Sequence, residues 1–210
     1  MQPSDTSEPQ VVLLCGISGS GKTHYALGLQ AEGYRRLSAD EIAWAEHGRD
    51  LVTMPLDRQR QVFMRASREL LRQLEQALRD GERVVVDSTL CSRDKRDAMR
   101  GLCRRFGVEP RLVYMQATKE VLRRRLGGRR GLGADDQPVP ADRLDTFCRG
   151  FQAPTPRRAS HRHAPVINLL RGPSLLLRSR GVAPRALAAP KASINPFDNS
   201  YLHHLLPLPS

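Results

Sequence analysis

The sequence predicts an α/β protein: three layers, with helices on both faces of a mainly parallel sheet. Two observations predict it. Short apolar runs rich in Val and Leu alternate with longer stretches of helical period. A glycine-rich turn joins the first apolar run to the first helix, a junction typical of parallel α/β units.

The elements follow in order. Residues 1–9 are a polar lead-in. Gln10 to Cys15 (QVVLLC) reads as a buried strand. The turn at 16–21 opens a helix from Lys22 to about Glu32, which Gly33 stops. Tyr34 to Ser38 is the second strand, and a short helix is expected at 41–46. From Asp57 to Arg79, Val62, Ala66, Leu70, Leu74 and Leu78 recur every four residues, so one helical stripe faces the core. Asp80-Gly81 ends that helix. Arg83 to Asp87 (RVVVD) is the third strand, Ser92 to Phe106 a helix, and Arg111 to Met115 the fourth strand. A basic helix at 118–126, a Gly/Arg-rich loop at 127–133 and a helix at 140–150 come next. Residues 164–170 (APVINLL) could supply a fifth strand.

Charge divides the chain unevenly. It has 210 residues and a net charge of +12. Residues 154–210 carry 8 basic and 1 acidic side chains and 9 of the 15 prolines, so more than half of the excess sits in that last quarter. The division is a lead-in (1–9), a folded domain (10–156) and a basic, Pro-rich tail (157–210). Two explanations of the tail stay open: a basic extension that binds acidic partners, or an altered reading frame. Its His161, His163, His203 and His204 lack Cys or carboxylate companions and do not make a metal site. No apolar run is long enough to span a bilayer, and the N-terminus lacks the pattern of a signal peptide. The four separated cysteines suit a reducing compartment, so a cytoplasmic location is expected. Cys15 is expected in the core rather than in redox chemistry.

GISGSGKT at 16–23 fits the phosphate-loop pattern GxxxxGK[ST] with the right flanks. Its glycines let backbone N–H groups converge on phosphate, and the helix N-terminus adds partial positive charge. Gly16, Ser18, Gly19, Ser20, Gly21, Lys22 and Thr23 are the expected ATP-binding set. Lys22 serves the β- and γ-phosphates, and Thr23 serves Mg²⁺. No NKxD follows, which excludes a GTPase of the usual kind. The third strand ends in one Asp rather than Asp-Glu, which disfavours a motor or helicase.

VVLLCGISGSGKTHYA, LSADEIAW, VVVDSTLCSRDKRDAMR, KEVLRRRLGGRRG and RGFQAPTP together resemble the AAA-type P-loop small kinases. That group is related to phage polynucleotide kinase, zeta toxin and chloramphenicol phosphotransferase. The resemblance covers residues 10–156. It implies a P-loop NTPase fold with a helical Arg-rich lid, and transfer of the γ-phosphate of ATP to a hydroxyl. It also implies roles. Asp40 would accept the acceptor's proton; its alternative is a helix cap, shared with Ser38. Glu41 is a weaker base. Asp87, with Ser88 beside it, would hold Mg²⁺ or the acceptor. Arg93 and Arg96 would hold an anionic part of the acceptor, or form a solvated face. Arg125 and Arg129, four apart in a cluster with Arg123, Arg124 and Arg130, would reach the transferring phosphoryl group from a lid hinged on glycines. The adenine site would lie near 151–156.

One departure matters. Polynucleotide kinases carry an Arg three residues after the Asp; here it is Ala43, then Trp44. Trp44 could stack on a planar acceptor, or pack in the core. The expected function is therefore an ATP-dependent phosphotransferase acting on a small-molecule or nucleoside-type acceptor. A polynucleotide 5′-hydroxyl kinase is the alternative within enzymes. A non-catalytic nucleotide- or nucleic-acid-binding protein is the alternative outside them.

Overall fold

A computed structural model describes residues 8–155 and the strand at 167–170. The rest of the expected tail, 157–166 and 171–210, and most of the 1–9 lead-in lie outside the described residues.

Five parallel strands form one sheet: β1 (Val11–Cys15), β2 (Arg35–Ser38), β3 (Val84–Asp87), β4 (Arg111–Gln116) and β5 (Ile167–Leu170). Their order is β2-β3-β1-β4-β5. The chain reverses direction across the sheet at β1, and such a switch point leaves a crevice beyond the strand C-termini. β5 adds to β4 with Val113 opposite Ile167. The helices are α1 (Lys22–Ala31), α2 (Ala39–His47), α3 (Asp50–Thr53), α4 (Leu56–Arg79), α5 (Arg93–Arg105), α6 (Lys119–Gly127) and α7 (Ala141–Gly150). A single 3-10 turn covers Ala134–Asp136.

Strand alternation sorts the core into two layers. Val11, Leu13, Val84, Val86 and Leu112 face α4 and α5 through Leu70, Leu74, Met99 and Leu102. Val12, Leu14, Val85 and Val113 face the other way, toward Ala26 of α1. Two smaller clusters flank the crevice. Ala43, Leu51, Val62 and Ala66 join α2, α3 and α4. Leu122, Leu126 and Leu144 join α6 to α7.

The helices expected from period alone match closely, because α4 does bury Val62, Ala66, Leu70, Leu74 and Leu78. α2 starts two residues earlier than expected, and α3 has no signal in the sequence, being only four residues long. No helix among the described residues is long and apolar enough to cross a membrane.

Candidate active site

The loop after β1 is shaped by three glycines with positive φ: Gly16 at 152°, Gly19 at 83° and Gly21 at 103°. A Cβ on Gly16 would lie 2.5 Å from the Met115 carbonyl oxygen, so this position admits only glycine. No side chain caps α1, so its first N–H groups open onto the loop. The Lys22 ammonium folds back and donates to the carbonyls of Gly16 (2.8 Å) and Ile17 (3.1 Å). Burial pulls its pKa down, while Asp87 and Asp40 push it back up. The Ser20 hydroxyl is buried without a hydrogen-bond partner, in a loop whose amides and N-terminal dipole suit an anion.

The strand register sets the carboxylates. Ser38 stands opposite Asp87 on adjacent strands. The Ser38 hydroxyl then accepts from the Glu41 amide and caps α2. Capping therefore falls to Ser38, which leaves Asp40 in the first turn, bordering the cleft. The cleft holds about 1070 Å³, and Lys22, Asp40 and Asp87 all border it. The Asp40 carboxyl is open to cleft water yet walled by protein. That desolvation and the nearby charge of Asp87 push its pKa up to about 6, against the pull of Lys22.

Asp87 itself is buried, and Arg36 holds it. Arg36 donates to Asp87 Oδ2 from Nε (3.1 Å) and Nη2 (2.7 Å), to Glu41 at 2.6 Å and to Asp135 at 2.7 Å. The Arg36 side chain is 2% exposed. Sequence reasoning missed both Arg36 and Asp135. A signal existed for the first: a charged residue inside a short sheet strand needs a carboxylate partner. Asp135 offered none, because its partner lies 99 residues away.

The arginine cluster divides. Arg125 donates to the Gly19 carbonyl at 2.9 Å and Arg129 to the Gln137 carbonyl at 3.2 Å, and both border the cleft. α6 ends at Gly127, so Arg129 reaches the cleft from just past the helix rather than from a shared helix face. Arg123, Arg124 and Arg130 are exposed and do not border it. Ser18, Thr23 and Ser88 border the cleft; Glu41 does not.

Two expected acceptor contacts, Arg93 and Arg96, lie elsewhere, and Trp44 takes its core alternative. Arg96 is 4% exposed and turns inward, donating to the Leu90 carbonyl at 2.9 Å, because its position on α5 faces the core. Arg93 is exposed and its amide donates to the Gln152 side chain. Trp44 packs on the Ala43–Leu51 cluster, and Ala43 is fully buried. The cleft is bordered instead by Gln59, Phe63, Lys95, Arg143 and Phe147, none singled out beforehand. Gln59 spans one wall of the cleft. It donates to the carbonyls of Leu51 and Met54 and accepts from Arg143 at 3.1 Å. Phe151, from the FQAPTP segment, stacks on Tyr114 with ring centres 5.6 Å apart and also borders the cleft. Burial pushes the Cys15 thiol up to about 11, so it stays protonated at neutral pH.

Thr23 and Asp87 carry the hard oxygen donors that Mg²⁺ takes. Among the described residues no three His, Cys, Asp or Glu side chains are grouped to hold a metal. The ion would therefore complete its shell from phosphate and water, as Mg²⁺ commonly does.

A phosphate loop at the switch point of a parallel sheet, facing two carboxylates and two arginines, defines a P-loop NTPase of the small-kinase type. The AAA-domain family profile matches residues 11–154, and the chain belongs to that family, the AAA-type P-loop small kinases. Solved structures share the fold. A candidate kinase from Chloroflexus aurantiacus is 18% identical, with a TM-score of 0.59, covering 78% of this chain and 89% of its own. A sugar kinase from Janibacter sp. is 23% identical (TM-score 0.51, covering 78% and 86%). A gluconokinase from Sinorhizobium meliloti is 20% identical (TM-score 0.50, covering 77% and 82%). Among curated proteins there is no significant sequence match.

Proposed function

We propose that the protein transfers the γ-phosphate of ATP to a hydroxyl of a small-molecule acceptor. The observation that carries this reading is the convergence of Asp40 and Asp87 with Lys22 in one cleft beyond the sheet. ATP would take the loop amides, and Lys22 would exchange its two loop carbonyls for β- and γ-phosphate oxygens. Thr23 and Asp87 would hold Mg²⁺, which supplies charge neutralisation at the phosphates. Asp40 would take the acceptor hydroxyl's proton. Its raised pKa makes it a stronger base than an ordinary carboxylate, while still ionised at neutral pH. Arg125 and Arg129 would stabilise charge on the phosphoryl group in transfer.

Buried Ala43 provides no side chain to grip an acceptor phosphate, which favours small acceptors over polynucleotides. The sugar-kinase and gluconokinase neighbours support polyhydroxylated compounds as the first acceptors to try. The test is ATP turnover with Mg²⁺ across a panel of sugars, sugar acids, nucleosides and a 5′-hydroxyl oligonucleotide. A small hydroxyl compound should become phosphorylated by the wild type and not by Asp40→Asn. Phosphorylation of the oligonucleotide alone would overturn the reading.

A further inference from the structure

One ion-pair network reaches beyond the residues of the reaction just described. Arg36 is held on β2 with its side chain 2% exposed, and its guanidinium meets carboxylates from three other elements. Asp87 comes from β3, Glu41 from α2, and Asp135 from the 3-10 turn at 134–136. The first is a contact between neighbouring strands. The last reaches a segment 99 residues away.

The turn is otherwise built from its own residues. Asp136 accepts from the amides of Arg130 and Leu132, and Gly131 donates to the Asp136 carbonyl. Such bonds shape the turn without attaching it to the sheet. Across the gap, Gly131 lies against Val52 of α3, where an added Cβ would come within 3.0 Å of Val52 Cγ2. The turn thus borders the cleft and packs toward α2 and α3. Among the described residues, Arg36–Asp135 is the ion pair that ties the turn to the sheet.

We propose that Arg36 is a positioning residue that latches the 131–137 segment across the acceptor side of the cleft through Asp135, while the same guanidinium fixes Asp87. The latch is a feature of the fold, and only its bearing on an acceptor rests on the kinase reading. Its consequence is electrostatic as well as steric. Asp40 is faced by Lys22 from α1, Asp87 from β3, Asp135 from the turn and Arg129 from the end of the lid. Holding Asp135 in place keeps one more negative charge near Asp40. Release of the turn removes it and makes Asp40 a weaker base.

Two measurements test this without requiring phosphoryl transfer. In Asp135→Asn, amides of 131–137 should exchange with deuterium about tenfold faster, as loss of one charge-assisted bond implies, while β1 and β3 stay protected. In the same variant the Asp40 carboxyl carbon, followed by NMR, should titrate below the wild-type midpoint. Asp135→Glu should keep both properties near wild type. Arg36→Lys, which loses the guanidinium fork, should also loosen 131–137. Should that variant fail to fold, Asp135→Asn decides alone. Unchanged exchange at 131–137 in Asp135→Asn overturns the latch. An unchanged Asp40 midpoint overturns the electrostatic consequence. Absence of phosphoryl transfer by the wild type overturns the kinase reading and leaves both measurements interpretable.

Discussion

The two sides of the cleft are built in opposite ways. The nucleotide side is one contiguous segment, residues 16–23, shaped by backbone: glycines at positive φ, an uncapped helix start, and a lysine resting on its own loop's carbonyls. The other side, the proposed acceptor side, is assembled from side chains far apart in the chain. Arg36 reaches Asp87 and Asp135, and Arg143 reaches Gln59 across 84 residues. The contrast teaches where specificity can change. A backbone loop tolerates almost no substitution and offers every nucleotide the same amides. A wall of side chains can be rebuilt by single replacements without disturbing the phosphate site. The comparison is sharpened by perturbing each side in turn.

The largest effect should come from the nucleotide side. Lys22→Ala should reduce ATP turnover by about a thousandfold or more, since it removes the loop's own cation from the β- and γ-phosphates. Isothermal titration with a non-hydrolysable ATP analogue should show weakened binding, and circular dichroism an intact fold. Wild-type turnover in this variant would sink the assignment of the loop.

Asp40 comes next, at the junction of the two sides. Asp40→Asn should lower kcat by roughly 10²–10⁴-fold, the usual worth of a general base. In the wild type, kcat/KM should fall on the acid side with a midpoint near 6, as the base becomes protonated. The same shift has a stability consequence. The folded pKa lies above the ordinary value of 3.8, so the ionised carboxylate weakens the fold. That cost is full above about 6 and disappears as pH falls below the unfolded value. Asp40→Asn should therefore melt higher than wild type at pH 8 and equally at pH 3.5. A variant that is both less active and less stable at pH 8 would mean that Asp40 holds structure rather than chemistry.

The same asymmetry decides what could be read in advance. Four parallel strands and the long helices were legible because period and burial agree; α4 shows a stripe every four residues and buries it. Gly16 to Thr23 was legible because the phosphate loop is local, with every needed group within eight residues. Arg125 and Arg129 both border the cleft, but not from the shared helix face that their spacing predicted, because the helix ends between them. Arg96 was misplaced because sequence order put it near the site while its position on α5 points into the core. Asp135, Gln59 and Arg143, and the partners of Arg36, could not be read in advance for one reason. Each acts through a partner between 51 and 99 residues away, and pairing at that range is set by packing rather than by local pattern.

Gln59 belongs to the proposed acceptor side alone. Its side chain is almost wholly buried and satisfies two backbone carbonyls, those of Leu51 and Met54, at the join between α3 and α4. Gln59→Leu leaves both without this donor and removes one acceptor from Arg143. It should cost about 1–3 kcal/mol in urea unfolding, the usual penalty for unsatisfied buried groups. Affinity for the ATP analogue should stay within about twofold of wild type, less than 1 kcal/mol. A large loss of nucleotide affinity would show that the two sides are not separable.

The smallest effect tests the division of the arginines. Arg124 is exposed, does not border the cleft, and sits beside Arg125, which touches the phosphate loop. If charge density alone served the phosphates, removing either would matter, because the two are adjacent in sequence. If direction matters, only Arg125 counts, since a charge facing water is screened within about 8 Å at physiological salt. Arg124→Ala should therefore change turnover by less than about twofold and stability by less than about 0.5 kcal/mol. Arg125→Ala should lower kcat by about tenfold or more, the cost of one charge-assisted contact at the reacting group. Parallel steady-state assays of the two variants, at low and high salt, separate the cases. Equal losses that shrink together with salt would mean the lid acts as a diffuse field, and the nucleotide side would then be less local than its backbone suggests.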